Sequence, residues 1–189
     1  DFAAVPELVA RTLLYVEDRE LLDPSRPNMN PVVDWERLGV AVGQQALKSL
    51  GRPQKVIGAS TLATQLEKFR HSPDGITLPA RQQLLLEYLN ALPLAAQPGY
   101  GEVASLGDGL ESWFGSPFAE VNRVLADPAA PLAERARYYK QVLALILAVR
   151  RPTHYLRDTA SLAALTDSHL RRMARDGVIP ADLAAAAQA

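Results

Sequence analysis

The sequence predicts a mainly helical protein, and three observations lead there. Apolar residues make up 48% of the chain, rich in Leu and Ala, while aromatic residues reach only 6%. Apolar positions recur at three- and four-residue spacing along most of its length. Proline and glycine clusters fall between these periodic stretches. At 189 residues the chain makes one domain, with room for two lobes, and is long enough to bury a real core.

Composition also excludes function classes. The formal net charge is −1 with no basic block, so nothing supplies the cationic face that nucleic-acid phosphates require. Cysteine is absent, which removes disulfides and thiol chemistry and leaves the compartment open. The apolar run Val142 to Val149 is too short to cross a bilayer. No signal-peptide pattern precedes the opening residues Asp1 to Pro6, which read as the start of a trimmed domain whose anchor lies elsewhere.

The elements follow in order. Pro6 to Asp18 reads as a helix with Val5, Leu8, Val9, Leu13 and Val16 giving a broad apolar face. It delivers Glu17 and Asp18 at its C-terminal end. A carboxylate there meets the negative end of the helix dipole, and apolar neighbours desolvate it. Both effects favour protonation, which suits a general base; the alternative is a solvated pair closing a surface helix. Asp23 to Pro31 is an extended, Pro-rich loop. Asp34 caps a helix whose face carries Trp35, Leu38, Val42, Ala46 and Leu50, ended by Gly51 and Pro53.

Gly58 to Lys68 is the stretch around which the chain is organised. Wound at 3.6 residues per turn, it aligns Ser60, Thr64 and Lys68, with Thr61 and Gln65 beside them. Leu62, Leu66 and Phe69 take the opposite face. The polar face can hydrogen-bond a sugar or a polyanion; the plainer reading is an N-cap on an ordinary amphipathic helix.

Phe69 to Pro79 breaks into a loop, and Ala80 to Leu92 forms a helix packed through Leu84, Leu85, Tyr88 and Leu89. The glycines of Pro98 to Gly101, Gly107 to Gly109 and Trp113 to Gly115 predict a structural corner of tight turns. A short helix, Phe118 to Leu125, turns Phe118, Val121 and Leu125 inward, and Asp127 to Pro131 is a loop. Leu132 to Arg150 is the most apolar helix and runs through the core. At its end, Arg150 and Arg151 present guanidinium forks suited to phosphate, or compensate helix C-terminal charge. Helices from Ser161 to Arg175 and from Ala181 to Ala187 complete the chain.

Several of these stretches, in order, resemble the peptidoglycan glycosyltransferases, the polymerase domains of bifunctional penicillin-binding proteins and monofunctional transglycosylases. Gly58-Ala-Ser-Thr-Leu-Ala-Thr-Gln-Leu-Glu-Lys68 resembles the family signature G-G-S-T-I-T-Q-Q-L-x-K. Val16-Glu-Asp-Arg-Glu20 is similar to its first motif, E-D-x-x-F-x-x-H-x-G, although Leu21 stands in place of Phe and the His and Gly do not follow. Gln83 to Asn90 resembles I-L-E-x-Y-L-N, with Leu86 where the family has Glu and Glu87 next to it. Arg150 to Tyr155 resembles the close of the fifth motif, P-x-x-Y, and Arg172 to Pro180 the family's closing R-M-x-x-x-G-x-I segment. The family's third motif, which carries a second glutamate and basic residues, has no counterpart in the nineteen residues between Lys68 and Tyr88. Either a loop between Ser72 and Arg81 is left out of the chain, the preferred explanation, or the protein lacks it and is divergent or impaired.

The resemblance implies a lysozyme-like helical lobe with a small jaw at about residues 20–56, within a single domain spanning 1–189. It implies polymerisation of lipid II into glycan strands at the periplasmic face of a bacterial inner membrane. Glu17 would be the base that deprotonates the acceptor hydroxyl. Asp18, Ser60, Thr61, Thr64, Gln65, Lys68, Arg70, Asn90 and Arg151 would bind substrate, and a divalent cation, Mg²⁺ by preference, would neutralise the leaving pyrophosphate. Its partners would be lipid II, the nascent strand, the membrane surface and a fused or associated cell-wall domain. Two alternatives stand beside it: a non-catalytic domain that binds lipid-linked precursors or a cell-wall partner, and a lysozyme-like enzyme that cleaves glycan with Glu17 as general acid.

Overall fold

The computed structural model describes residues 2–17 and 78–189. The chain divides into two compact units, residues 1–16 with 85–189, and residues 17–84. Of the second unit only Glu17 and residues 78–84 are described. The expected jaw at 20–56, the Asp34 helix and the Gly58–Lys68 helix lie outside the described residues, as does most of the short stretch before Arg81.

The described residues are mainly helical, with no strand among them. A 3-10 turn, Phe2–Ala4, precedes α1, Glu7–Glu17. Then come α2, Leu78–Asn90; α3, Leu106–Phe114; α4, Phe118–Ala126; and α5, Leu132–Ala148. Helices α6, Pro152–Arg157, α7, Thr159–Arg175, and α8, Ala181–Gln188, follow. Among the described residues no helix is long and apolar enough to cross a membrane.

The first unit is built around α5. Every residue from Val142 to Ala148 is buried, the signature of a helix covered on all sides rather than on one stripe. It packs against α3, α4, α7 and α8. Leu143, Leu145 and Ile146 are fully enclosed, and burial of each such side chain contributes about 1.5–3 kcal/mol. Helix α7 is amphipathic, and its buried positions Leu162, Thr166, Leu170 and Met173 fall three or four apart on one face.

Helix ends follow local chemistry. Ser105 caps α3 by accepting from the Asp108 N–H at 2.9 Å, and Asp158 caps α7 by accepting from the Ser161 N–H at 2.9 Å. That cap starts α7 at Thr159, two residues before the expected Ser161. Helix α5 stops at Ala148 rather than Arg150 because Pro152 follows. The residue before a proline is pushed out of the helical region, and Arg151 sits at φ −153° and ψ 61°. Pro152 then opens α6, which the sequence reading treated only as a motif; proline is pre-set for a first helical position. Helix α2 runs Leu78–Asn90, two residues earlier at each end than expected.

The glycine corner is real in part. A bridge between Gln97 and Gly101 closes a tight turn, with Gly99 at φ +86° and Gly101 at φ +104°. Gly107 and Gly109 instead lie inside α3. A Cβ at Gly109 would sit 2.6 Å from Leu94 Cδ1 and 3.0 Å from both terminal carbons of Leu145. Gly109 is there for close approach of α3 to α5, not for a turn. The expectation that Phe118 points inward also fails: it is 44% exposed. It is the first residue of α4, at the lip of a cavity, while Val121 and Leu125 are buried as expected.

Candidate functional site

Helix α1 carries the candidate catalytic carboxylate, and its sequence explains how it is held. Val9, Leu13 and Val16 are buried along one stripe at helical spacing. Thr12, on the same side, is fully buried. Its hydroxyl donates to the Leu8 carbonyl at 2.7 Å, so the 2.7 Å contact with the Tyr139 hydroxyl has Tyr139 as donor. Burial pushes the Tyr139 phenol well above its ordinary range. A buried hydroxyl pair of this kind fixes α1 on α5, since an unpaired member would carry its full desolvation cost.

Three further contacts pin α1. Arg11 Nη2 donates to the Gly177 carbonyl at 3.3 Å. The Tyr15 hydroxyl donates to Asp176 Oδ2 at 2.6 Å. Arg150 Nη2, just past α5, donates to the Val16 carbonyl at 3.3 Å. Val16 lies in the last turn of α1, where carbonyls lack intrahelical partners and cations are favoured. Arg150 therefore compensates a helix C-terminus, but that of α1 rather than its own helix. Glu17, the next residue and the last of α1, is only 3% exposed.

A histidine that sequence reasoning passed over belongs to this neighbourhood. His169 lies on α7, half-buried, and its Nδ1 meets the Leu165 carbonyl at 2.9 Å. Burial holds its pKa below the ordinary value; Arg172 and Arg150 lower it further, while the Leu165 hydrogen bond opposes them. Nothing in the periodicity of α7 marks this residue, because burial, the leading cause of its shift, comes from packing, and Arg150, a smaller cause, comes from beyond the end of α5.

The remaining predicted residues divide clearly. Arg151 is exposed at the turn into α6, with no described side-chain hydrogen bond or ion pair. Asn90 is exposed at the end of α2 and lines a cavity of about 200 Å³ between the N-terminal segment, α2, α3 and α4. Neither Glu17 nor Arg151 lines that cavity. Asp18, Ser60, Thr61, Thr64, Gln65, Lys68 and Arg70 lie outside the described residues.

Comparison with known protein families, with characterised proteins and with solved structures finds no match to this chain. Among the described residues no group of three or more His, Cys, Asp or Glu side chains could hold a metal ion.

Proposed function

We propose that the chain is a peptidoglycan glycosyltransferase that joins lipid-linked disaccharide units, with Glu17 as the general base. The observation that supports this reading is the meeting of two segments far apart in sequence. Arg150, which opens the P-x-x-Y-like stretch, donates to the carbonyl of Val16, which opens the Glu-Asp stretch. Both stretches carry the family resemblance, and the carboxylate beside their junction is buried. A buried carboxylate at a fixed helix end suits proton abstraction, because its position is set before substrate arrives.

In the proposed reaction the Glu17 carboxylate takes the proton of an acceptor sugar hydroxyl. The freed oxygen forms a bond to the anomeric carbon of the donor sugar. The bond from that carbon to the lipid diphosphate breaks, and the diphosphate leaves with the electron pair. A divalent cation, Mg²⁺ by preference, would supply charge neutralisation there. Arg151, exposed to solvent, has its guanidinium available for the diphosphate.

The test is polymerisation of labelled lipid-linked disaccharide-pentapeptide in detergent, wild type beside Glu17→Gln. The expected result is glycan strands from wild type and a loss of about a hundredfold or more in the variant. If both proteins bind the precursor and neither polymerises it, the chain is a binding domain and the enzymatic reading is overturned. Equal activity in both would remove Glu17 from the mechanism, and release of fragments from preformed glycan would make the chain a cleaving enzyme instead.

A further inference from the structure

A second concavity, distinct from the Glu17 end of α1, opens between α3, α5, α6 and α7. Its volume is about 330 Å³, within the usual range for small-molecule sites. Its walls are mostly apolar, with Trp113 and Phe114 from α3 and Leu162 and Ala163 from α7. Phe114 is 37% exposed, a large ring left partly in water at the rim.

Charge distinguishes this hollow from an ordinary crevice between helices. Among the described residues, the ionisable side chains that line it are Arg137 and Lys140, one turn apart on α5, with no carboxylate in the lining. Lys140 is paired with Asp167 at 2.9 Å. Among the described residues Arg137 has no ion pair, and it lies over the Tyr138 ring at 4.3 Å from its centroid.

The geometry points to a binding site for a small amphipathic carboxylate, its apolar body against Trp113, Phe114 and Leu162 and its anionic head toward Arg137. The apolar walls exclude a strongly hydrated ligand, and Arg137, beside the charge-balanced Lys140–Asp167 pair, selects an anion over a neutral or cationic one. The site stands apart from the glycosyltransferase reading, since none of its lining residues serves that mechanism.

The test titrates the full chain with 8-anilinonaphthalene-1-sulfonate, an apolar anion whose fluorescence rises on burial, and displaces it with decanoate or decanol. One saturable site is expected, with decanoate displacing the probe at least fivefold more effectively than decanol. Ala163→Phe, at an exposed position on the pocket wall, should abolish binding while the far-ultraviolet circular dichroism stays unchanged. Arg137→Glu, also on an exposed residue, should weaken decanoate at least fivefold and leave decanol as it was; this variant decides the matter if Ala163→Phe does not fold. Absence of saturable binding, equal displacement by acid and alcohol, or binding indifferent to these substitutions would overturn the proposal.

Discussion

Replacing Gly109 by alanine measures how closely α3 rides on α5. The added methyl would lie 2.6 Å from Leu94 Cδ1 and 3.0 Å from both Cδ atoms of Leu145. Comfortable carbon contacts lie at about 3.5–4.0 Å, so both leucines must give way. Leu94 is half-buried and can turn aside, but Leu145 is fully enclosed. Overpacking of this kind costs about 1–3 kcal/mol, and alanine recovers about 1 kcal/mol over glycine inside a helix. Gly109→Ala should therefore lose up to about 2 kcal/mol. Leu145→Ala alone opens a cavity and should cost about 3–5 kcal/mol. In the double variant the new methyl enters the space that Leu145 vacates. The pair should then be more stable than the sum of the single effects by about 1–3 kcal/mol, the coupling expected of residues in contact. Urea denaturation of the four proteins, followed by circular dichroism, gives the cycle. A double variant within about 0.5 kcal/mol of additivity would refute the close approach of the two helices.

Two further predictions concern buried and half-buried titrating groups. Thr12→Val should cost about 1–3 kcal/mol because it leaves the Tyr139 hydroxyl only the weak Met173 Sδ acceptor at 3.8 Å, whereas Tyr139→Phe, which leaves Thr12 bonded to Leu8, should cost only about 1 kcal/mol in the same denaturation assay. The folded-state pKa of Tyr139 lies above its ordinary value of 10.0, so its contribution to stability is complete below pH 10 and is lost as pH rises toward the folded value. Tyr139→Phe should flatten that alkaline decline, and an unchanged decline would show that another group causes it. His169 has the opposite sign: its folded pKa is depressed below 6.5 by burial first and by Arg172 and Arg150 after it. Stability should fall as pH drops below 6.5 toward the folded value, because the unfolded chain binds the proton more readily. An NMR titration should place the His169 midpoint below that of an unstructured histidine and move it upward in Arg150→Ala; an ordinary midpoint, or one indifferent to Arg150, would refute the reading.

Local chemistry made much of the helical frame legible in the sequence. The stripe Val9, Leu13 and Val16 has the spacing of a half-buried helix, and the unbroken run from Val142 to Ala148 has the composition of a fully buried one. Glu17 at the end of α1 followed from the same periodicity. Helix ends were less visible where a single residue sets them, as Asp158 does for α7 and Pro152 does for α5. A cap or a proline acts through one hydrogen bond or one steric clash, which periodicity does not register.

The tertiary structure decided the rest. No spacing rule announces that Arg150 reaches the carbonyl of Val16, that Tyr139 donates to Thr12, or that Gly109 lies in contact distance of Leu94 and Leu145. Each depends on how helices distant in the chain are brought together. The same holds for the hollow beside Trp113, whose walls come from α3, α5, α6 and α7. The sequence by itself determined which faces of the described helices are apolar and where the candidate carboxylate falls, because those follow from the 3.6-residue repeat. Which groups meet at the end of α1, and which helices wall the hollow beside Trp113, only packing could decide, because a contact is a property of two surfaces and the repeat describes one.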